Sequence, residues 1–160
     1  MRLILLSVIP LLFSAVCPAQ TPLVCPWFST GSAAGTLGGP VTLSAHVDAL
    51  SQGSCTFTRQ SGSEAATLEI VIGKIDTHAC PQGSPKLIAL GNEATQCRST
   101  NTQGQSLDVI AGRMRQVYFV VNLTKVPDAA TSSALPEGKR DPYAASLLER
   151  ATEEVVGNLY

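Results

Sequence analysis

Four cysteines, Cys25, Cys55, Cys80 and Cys97, constrain this chain most, because they remain as an even set once residues 1–19 are set aside. Those first residues read as a secretory signal peptide. Arg2 precedes an apolar run that continues to Val16, and Cys17-Pro18-Ala19 follows as a small-residue cleavage signal with the cut after Ala19. Cleavage removes Cys17. In an oxidising compartment the remaining four cysteines are expected to form two disulfides, and sequence alone permits three pairings. Their spacings of 30, 25 and 17 residues contain no close Cys-x-x-Cys pair of the kind used in redox motifs or zinc sites.

Two rival readings of the N-terminus fit less well. A membrane-spanning helix needs roughly 20 apolar residues, whereas residues 3–16 are fewer and include Ser7, Pro10 and Ser14. A lipoprotein would keep Cys17 as an acylated first residue, but Val16 and Ser14 stand where such sites favour a small residue and a leucine. The expectation is an exported protein, periplasmic or extracellular, without a permanent membrane span. Lipid anchoring through Cys17 is the lesser alternative.

Residues 20–160 then form the mature product, a length suited to one domain. Of 11 Lys and Arg the leader takes Arg2, leaving ten against 12 Asp and Glu and a formal charge of −2. So small a net charge offers no support for binding nucleic acid or an anionic membrane through bulk electrostatics.

Periodicity supplies the elements. Ser29 or Thr30 can cap a short helix within residues 32–37 that stops at Gly38-Gly39-Pro40. Val41, Leu43, Ala45 and Val47 alternate with Thr42, Ser44, His46 and Asp48, which predicts a half-buried strand. Further strands are expected around Cys55 and Phe57, over residues 68–75, over 107–110 before a turn near Gly112, and over 116–124. In the last, both Val117, Phe119, Val121 and Leu123 on one side and Tyr118 and Val120 on the other are apolar or aromatic, so it should be central or covered by a helix. That cover is a terminal helix with Asp141 as N-cap, Pro142 at N1 and a stripe of Tyr143, Leu147, Ala151 and Val155, widened by Leu148. Residues 125–140 are expected to be a loop.

A short internal repeat sets an Ala-Leu pair before a cysteine twice, Ala49-Leu50 before Cys55 and Ala89-Leu90 before Cys97, each with a hydrophobic strand beyond. Divergent duplication would pair cysteines within halves, Cys25 with Cys55 and Cys80 with Cys97. Chance similarity explains so brief a match equally well.

Candidate chemistry is sparse. His46 shares a strand face with Ser44 and Asp48, but residues two apart on a strand stand roughly 6–7 Å apart, beyond triad contact. Asp76, His78 and Cys80 alternate and offer oxygen, nitrogen and sulfur to a metal. A disulfide is the simpler use of Cys80, so no metal or cofactor is assigned. Arg59, Arg98, Arg113 and Arg115 would make an anion-binding patch only if the fold gathers them. Glu149, Glu153 and Glu154 read as solvated helix residues, and Asn122-Leu123-Thr124 as a glycosylation sequon inside a strand. Trp27, the only tryptophan, reads first as a core plug beside Cys25 and second as a ligand platform. The candidate ligand contacts are therefore His46, His78, Trp27, Arg113 and Arg115.

Cys25 before a short helix, Gly53-Ser54-Cys55-Thr56-Phe57, Leu90-Gly91-Asn92-Glu93-Ala94 and an Ala-rich terminal helix together resemble small exported bacterial cell-envelope lipoproteins and extracellular sensor-like domains of unknown function. That resemblance implies an antiparallel sheet packed by helices, disulfides and a ligand groove, and no catalytic residue. The expected fold is α+β, an antiparallel sheet of about five to six strands packed by a C-terminal helix and a short N-terminal helix, with two divergent halves if the repeat is a duplication. The expected function is a non-catalytic extracytoplasmic or cell-envelope binding domain for a small molecule or envelope protein, with its groove between sheet and helix. The alternatives are a small exported hydrolase built around His46 or His78, and a protein-binding or inhibitor-like module using residues 76–86 or 125–140.

Overall fold

The computed structural model describes residues 23–61, 64–74, 80–90, 93–100, 105–125 and 142–159. The signal segment, Asp76, His78, the Asp141 cap and the connection over 126–140 lie outside them. The chain runs α1 (Thr30–Leu37), β1 (Thr42–Val47), β2 (Gly53–Ser61), β3 (Glu64–Gly73), β4 (Lys86–Leu87), β5 (Ala94–Thr100), β6 (Ser106–Met114), β7 (Val117–Lys125) and α2 (Pro142–Gly157). The expected α+β architecture is present, with seven strands because β4 and β5 add to the sheet.

All seven strands form one antiparallel sheet in the order β1-β2-β3-β7-β6-β5-β4. Two meanders, β1–β3 and β4–β7, therefore meet where β3 pairs with β7. Directly paired residues share a face, so the register Leu43↔Phe57↔Leu68↔Leu123 and Ala45↔Cys55↔Ile70↔Val121↔Ile110 lays one apolar surface across the sheet. Both helices cover that surface, α1 against β2 and β3 and α2 against β6 and β7, and they touch each other. Phe57, Leu68, Ile70, Val121, Leu148 and Val155 are fully buried there. Trp27 is 2 % exposed and belongs to this core. Its carbonyl accepts a hydrogen bond from Asn158 Nδ2 at 3.1 Å, which clips the entry segment to the end of α2.

Local chemistry explains the helix ends. Ser29 rather than Thr30 caps α1, its hydroxyl accepting from Ser32 N at 2.9 Å, and Gly38 closes it at φ 76°, where a side chain would be strained. In α2 the buried positions are Leu148, Ala151, Thr152, Val155 and Val156, with Leu147 only half-buried. Leu148, Ala151 and Val155 of the expected stripe are thus buried, and Thr152 and Val156 widen it, because α2 packs against both the sheet and α1. Thr152 Oγ1 donates to Leu148 O at 2.8 Å, so its buried hydroxyl is satisfied within the helix. Glu154, expected as a solvated residue, instead accepts from Ser32 Oγ at 2.7 Å and ties α2 to α1.

The turn expected near Gly112 lies further on, at Arg115-Gln116, between the paired Met114 and Val117. Gly112 is a packing position within β6, where a Cβ would stand 2.8 Å from Ala94 Cα and Phe119 Cζ. Gly53 is more constrained: it lies at φ 138° at the start of β2, and a Cβ there would fall onto the His46 carbonyl oxygen. Gly53→Ala is expected to cost about 3 kcal/mol from backbone strain and displacement of the hairpin, measured as a lower midpoint in urea unfolding. A midpoint equal to that of the parent would contradict this reading.

Both disulfides join the cysteines expected, Cys25 to Cys55 and Cys80 to Cys97. The repeat does not explain them. Cys55 lies on the helix-covered face of β2, whereas Cys97 is paired with Val109 and so lies on the opposite face, on β5. The two cysteines occupy non-equivalent places in the two meanders. Among the described residues no helix is long and apolar enough to cross a membrane.

Candidate functional site

The sheet face opposite the helices carries the candidate site. Along β1 to β3 this face presents polar and charged residues such as Ser44, Thr56 and Glu69, matched across the register. Towards β5 its character changes. Val109 is 2 % and Val120 7 % exposed, yet neither belongs to the core beneath the helices, so this face holds a second apolar patch. The Cys80–Cys97 bond joins the loop at Pro81–Ser84 to β5 on this side.

Between that loop and the strands lies a recess of about 260 Å³. Its floor is Thr95 of β5, Ala111 of β6 and Val120 of β7, and its rim carries Lys86, Glu93, Arg113 and Tyr118. The loop itself is ordered by Ser84, whose backbone N–H and hydroxyl both donate to Pro81 O, at 3.2 and 2.8 Å. Gln96 N donates to Pro85 O at 2.9 Å, a second tie from the loop to β5.

Arg113 is the principal charged group at the recess. It pairs directly with Tyr118 in the β6–β7 register, which brings its guanidinium over the ring, Cζ 6.0 Å from the centroid. Its Nη2 donates to Glu93 Oε1 at 2.9 Å. Glu93 is largely exposed, so this ion pair orients the guanidinium more than it stabilises the fold. The Nε–H of Arg113 is buried and has no acceptor among the described residues. A buried donor left unsatisfied costs about 1–3 kcal/mol.

The remaining candidates are dispersed. Arg115 sits at the β6–β7 turn with φ 56°, at the same end of the sheet but not lining the recess. Arg98 bonds Asp108 from Nε at 2.7 Å on the helix side of the sheet, and Arg59 lies beside Gly39 at the end of α1. The four arginines therefore form no common anion patch. His46 is exposed on β1, and Asp48 beside it accepts from Leu50 N and Gln52 N, both at 2.8 Å, as the bracket of the β1–β2 turn. Trp27 is enclosed and offers no platform to a ligand. Cys80, once in a disulfide, has no thiolate for a metal, and Asp76 and His78 lie outside the described residues. Among the described residues no group of three metal-ligating side chains gathers. Asn122 Nδ2 donates to Glu69 Oε2 at 3.0 Å across β7 and β3, which gives the sequon asparagine a structural role.

The groove expected between sheet and helices is occupied by packed side chains. More open recesses, of about 350 and 310 Å³, lie instead where α1 meets α2 and beside the segment Leu23–Cys25. Lys86 carries no motif in the sequence, Glu93 stands there only within Leu90-Gly91-Asn92-Glu93-Ala94 and Tyr118 only as a strand residue; the register and the disulfide-held loop bring them to the recess. No protein-family model matches the chain, and no curated protein matches it at a significant level.

Proposed function

We propose that this chain is a non-catalytic binding domain of the extracytoplasmic space, related to the exported envelope and sensor-like domains it resembles. Its ligand site is the recess under the Cys80–Cys97 loop. The buried Arg113 Nε–H, without an acceptor and beside Tyr118, carries this reading. It supports a ligand that brings an oxygen acceptor to Arg113 and a flat or apolar part to Tyr118, Ala111 and Val120. Export is supported by the N-terminal segment and by the two disulfides, which suit an oxidising compartment.

A second reading draws on the same place. Pro81, Gln82 and Gly83 are exposed on a loop braced by a disulfide, a form suited to entering a protein partner. The two readings separate by size of ligand. With a panel of amino acids, small dicarboxylates and short peptides, small-molecule binding is expected to perturb the amide resonances of Thr95, Ala111, Arg113 and Tyr118. Arg113→Ala should weaken that binding at least tenfold, because an oriented charged hydrogen bond is lost. Perturbation confined to residues 81–83, indifferent to Arg113→Ala, would replace the small-molecule reading with the protein-binding one.

A further inference from the structure

The two edges of the sheet differ in how they are closed. At one, β4 has two residues, follows Pro85, carries Lys86 and lies beside the disulfide-tied loop, which are devices that prevent strands from adding. At the other, β1 is six residues, Thr42–Val47, with no charge and no proline, and no described residue pairs with its outer side. Asp48 N donates to Gln52 O, which fixes the alternation of the hairpin. The amides of Thr42, Ser44 and His46 therefore face β2, and those of Leu43, Ala45 and Val47 face outward.

We infer that β1 docks antiparallel on β1 of a second copy of this chain, about a two-fold axis at Ala45. That register makes Ala45 pair with itself, Leu43 with Val47 and Ser44 with His46. Every outward N–H and C=O of Leu43, Ala45 and Val47 then finds a partner. Leu43 and Ala45 already pack against the core, so the register extends the apolar face from one copy to the next. It also covers Val47, which is 37 % exposed. A second apolar fringe adjoins this edge: Leu23 and Val24, 55 and 67 % exposed, line a recess with Leu43. The strand meets its own copy without like charges, since the nearest carboxylate, Asp48, is engaged by its own turn and would face Thr42. Self-complementarity of this kind is what a two-fold interface requires, and it favours a second copy over an unrelated strand.

The test is the solution mass of the mature chain by sedimentation across increasing concentration, with amide hydrogen exchange on the same material. The expected results are twice the chain mass at high concentration and slowed exchange at Leu43, Ala45 and Val47 that reverses on dilution. Ala45→Pro removes the outward donor at the two-fold axis, a position where an edge strand tolerates proline, and should abolish the doubling. Val47→Lys, which leaves the backbone intact, should weaken it if the proline variant does not fold. A monomer at all concentrations, whether its outward amides exchange freely or are protected by another part of the same chain, would overturn the inference. So would a dimer unaffected by Val47→Lys and Ala45→Pro.

Discussion

Replacing Cys25 and Cys55 together by alanine is expected to lower stability by about 3–4 kcal/mol, from the loop of 30 residues the bond closes in the unfolded chain. For a domain of this length that is a fall in Tm of roughly 10 °C. Both cysteines lie in the core, 6 and 0 % exposed, so the loss is global and the whole transition should move as one. The Cys80–Cys97 bond closes 17 residues, and the same argument gives about 3 kcal/mol. Its structural consequence is different. Both sulfurs lie on the open face, and their loss leaves the Pro81–Ser84 loop held to β5 only at its Pro85 end, while the core beneath the helices stays intact. Ligand binding should therefore fail in the Cys80→Ala/Cys97→Ala variant at temperatures where it is still folded, and persist in the folded fraction of the other. Paired thermal unfolding and binding measurements on the two variants check this. Equal effects on binding would contradict the assignment of the site to the Cys80 loop.

Phe57→Ala is expected to cost about 3–5 kcal/mol. Phe57 is fully buried at the centre of β2 and meets Phe28 edge to face, with ring centroids 5.8 Å apart and planes at 74°. The ring pair accounts for only about 0.5–1.5 kcal/mol of this. Most of the loss comes from the transfer term and from a cavity that α1, the sheet and the Cys25–Cys55 bond cannot collapse to fill. Phe57→Leu restores much of the volume and should recover more than half the loss, as read by urea unfolding. If alanine and leucine destabilise equally, ring geometry rather than volume governs the site.

The long apolar strands and the short capped helix are legible in the sequence because their signals are local. Ser29, Gly38 and the alternation from Val41 to Val47 each act within a few residues of themselves. Strand β5, Ala-Thr-Gln-Cys-Arg-Ser-Thr, has no apolar alternation, since Gln96 and Arg98 follow Ala94 on one side and the other carries the disulfide. β4 exists only because β5 offers Ala94 and Thr95 to pair with Leu87 and Lys86. In α2 the periodicity places Leu148, Ala151 and Val155 on the buried side, but it misses Thr152 and Val156, whose burial comes from packing outside the helix. Arg113 is legible as a candidate, but its meaning is not. Tyr118 reaches it through a two-residue turn, and Glu93 reaches it from 20 residues away. The disulfide pairing is readable, although by way of a repeat whose cysteines lie on opposite faces.

The proposed protein is an exported, disulfide-bonded domain that holds a ligand at Arg113. Native mass spectrometry of the protein recovered from the extracytoplasmic fraction tests this in one measurement. The predicted result is a chain beginning at Gln20 with all four cysteines oxidised, carrying a non-covalent adduct that Arg113→Ala loses while its fold and disulfides persist. An unprocessed chain with free thiols would contradict the export reading, as acylation at Cys17 would correct it to a lipid anchor. A processed, oxidised chain with no adduct, or with one that Arg113→Ala retains unchanged, would contradict the site.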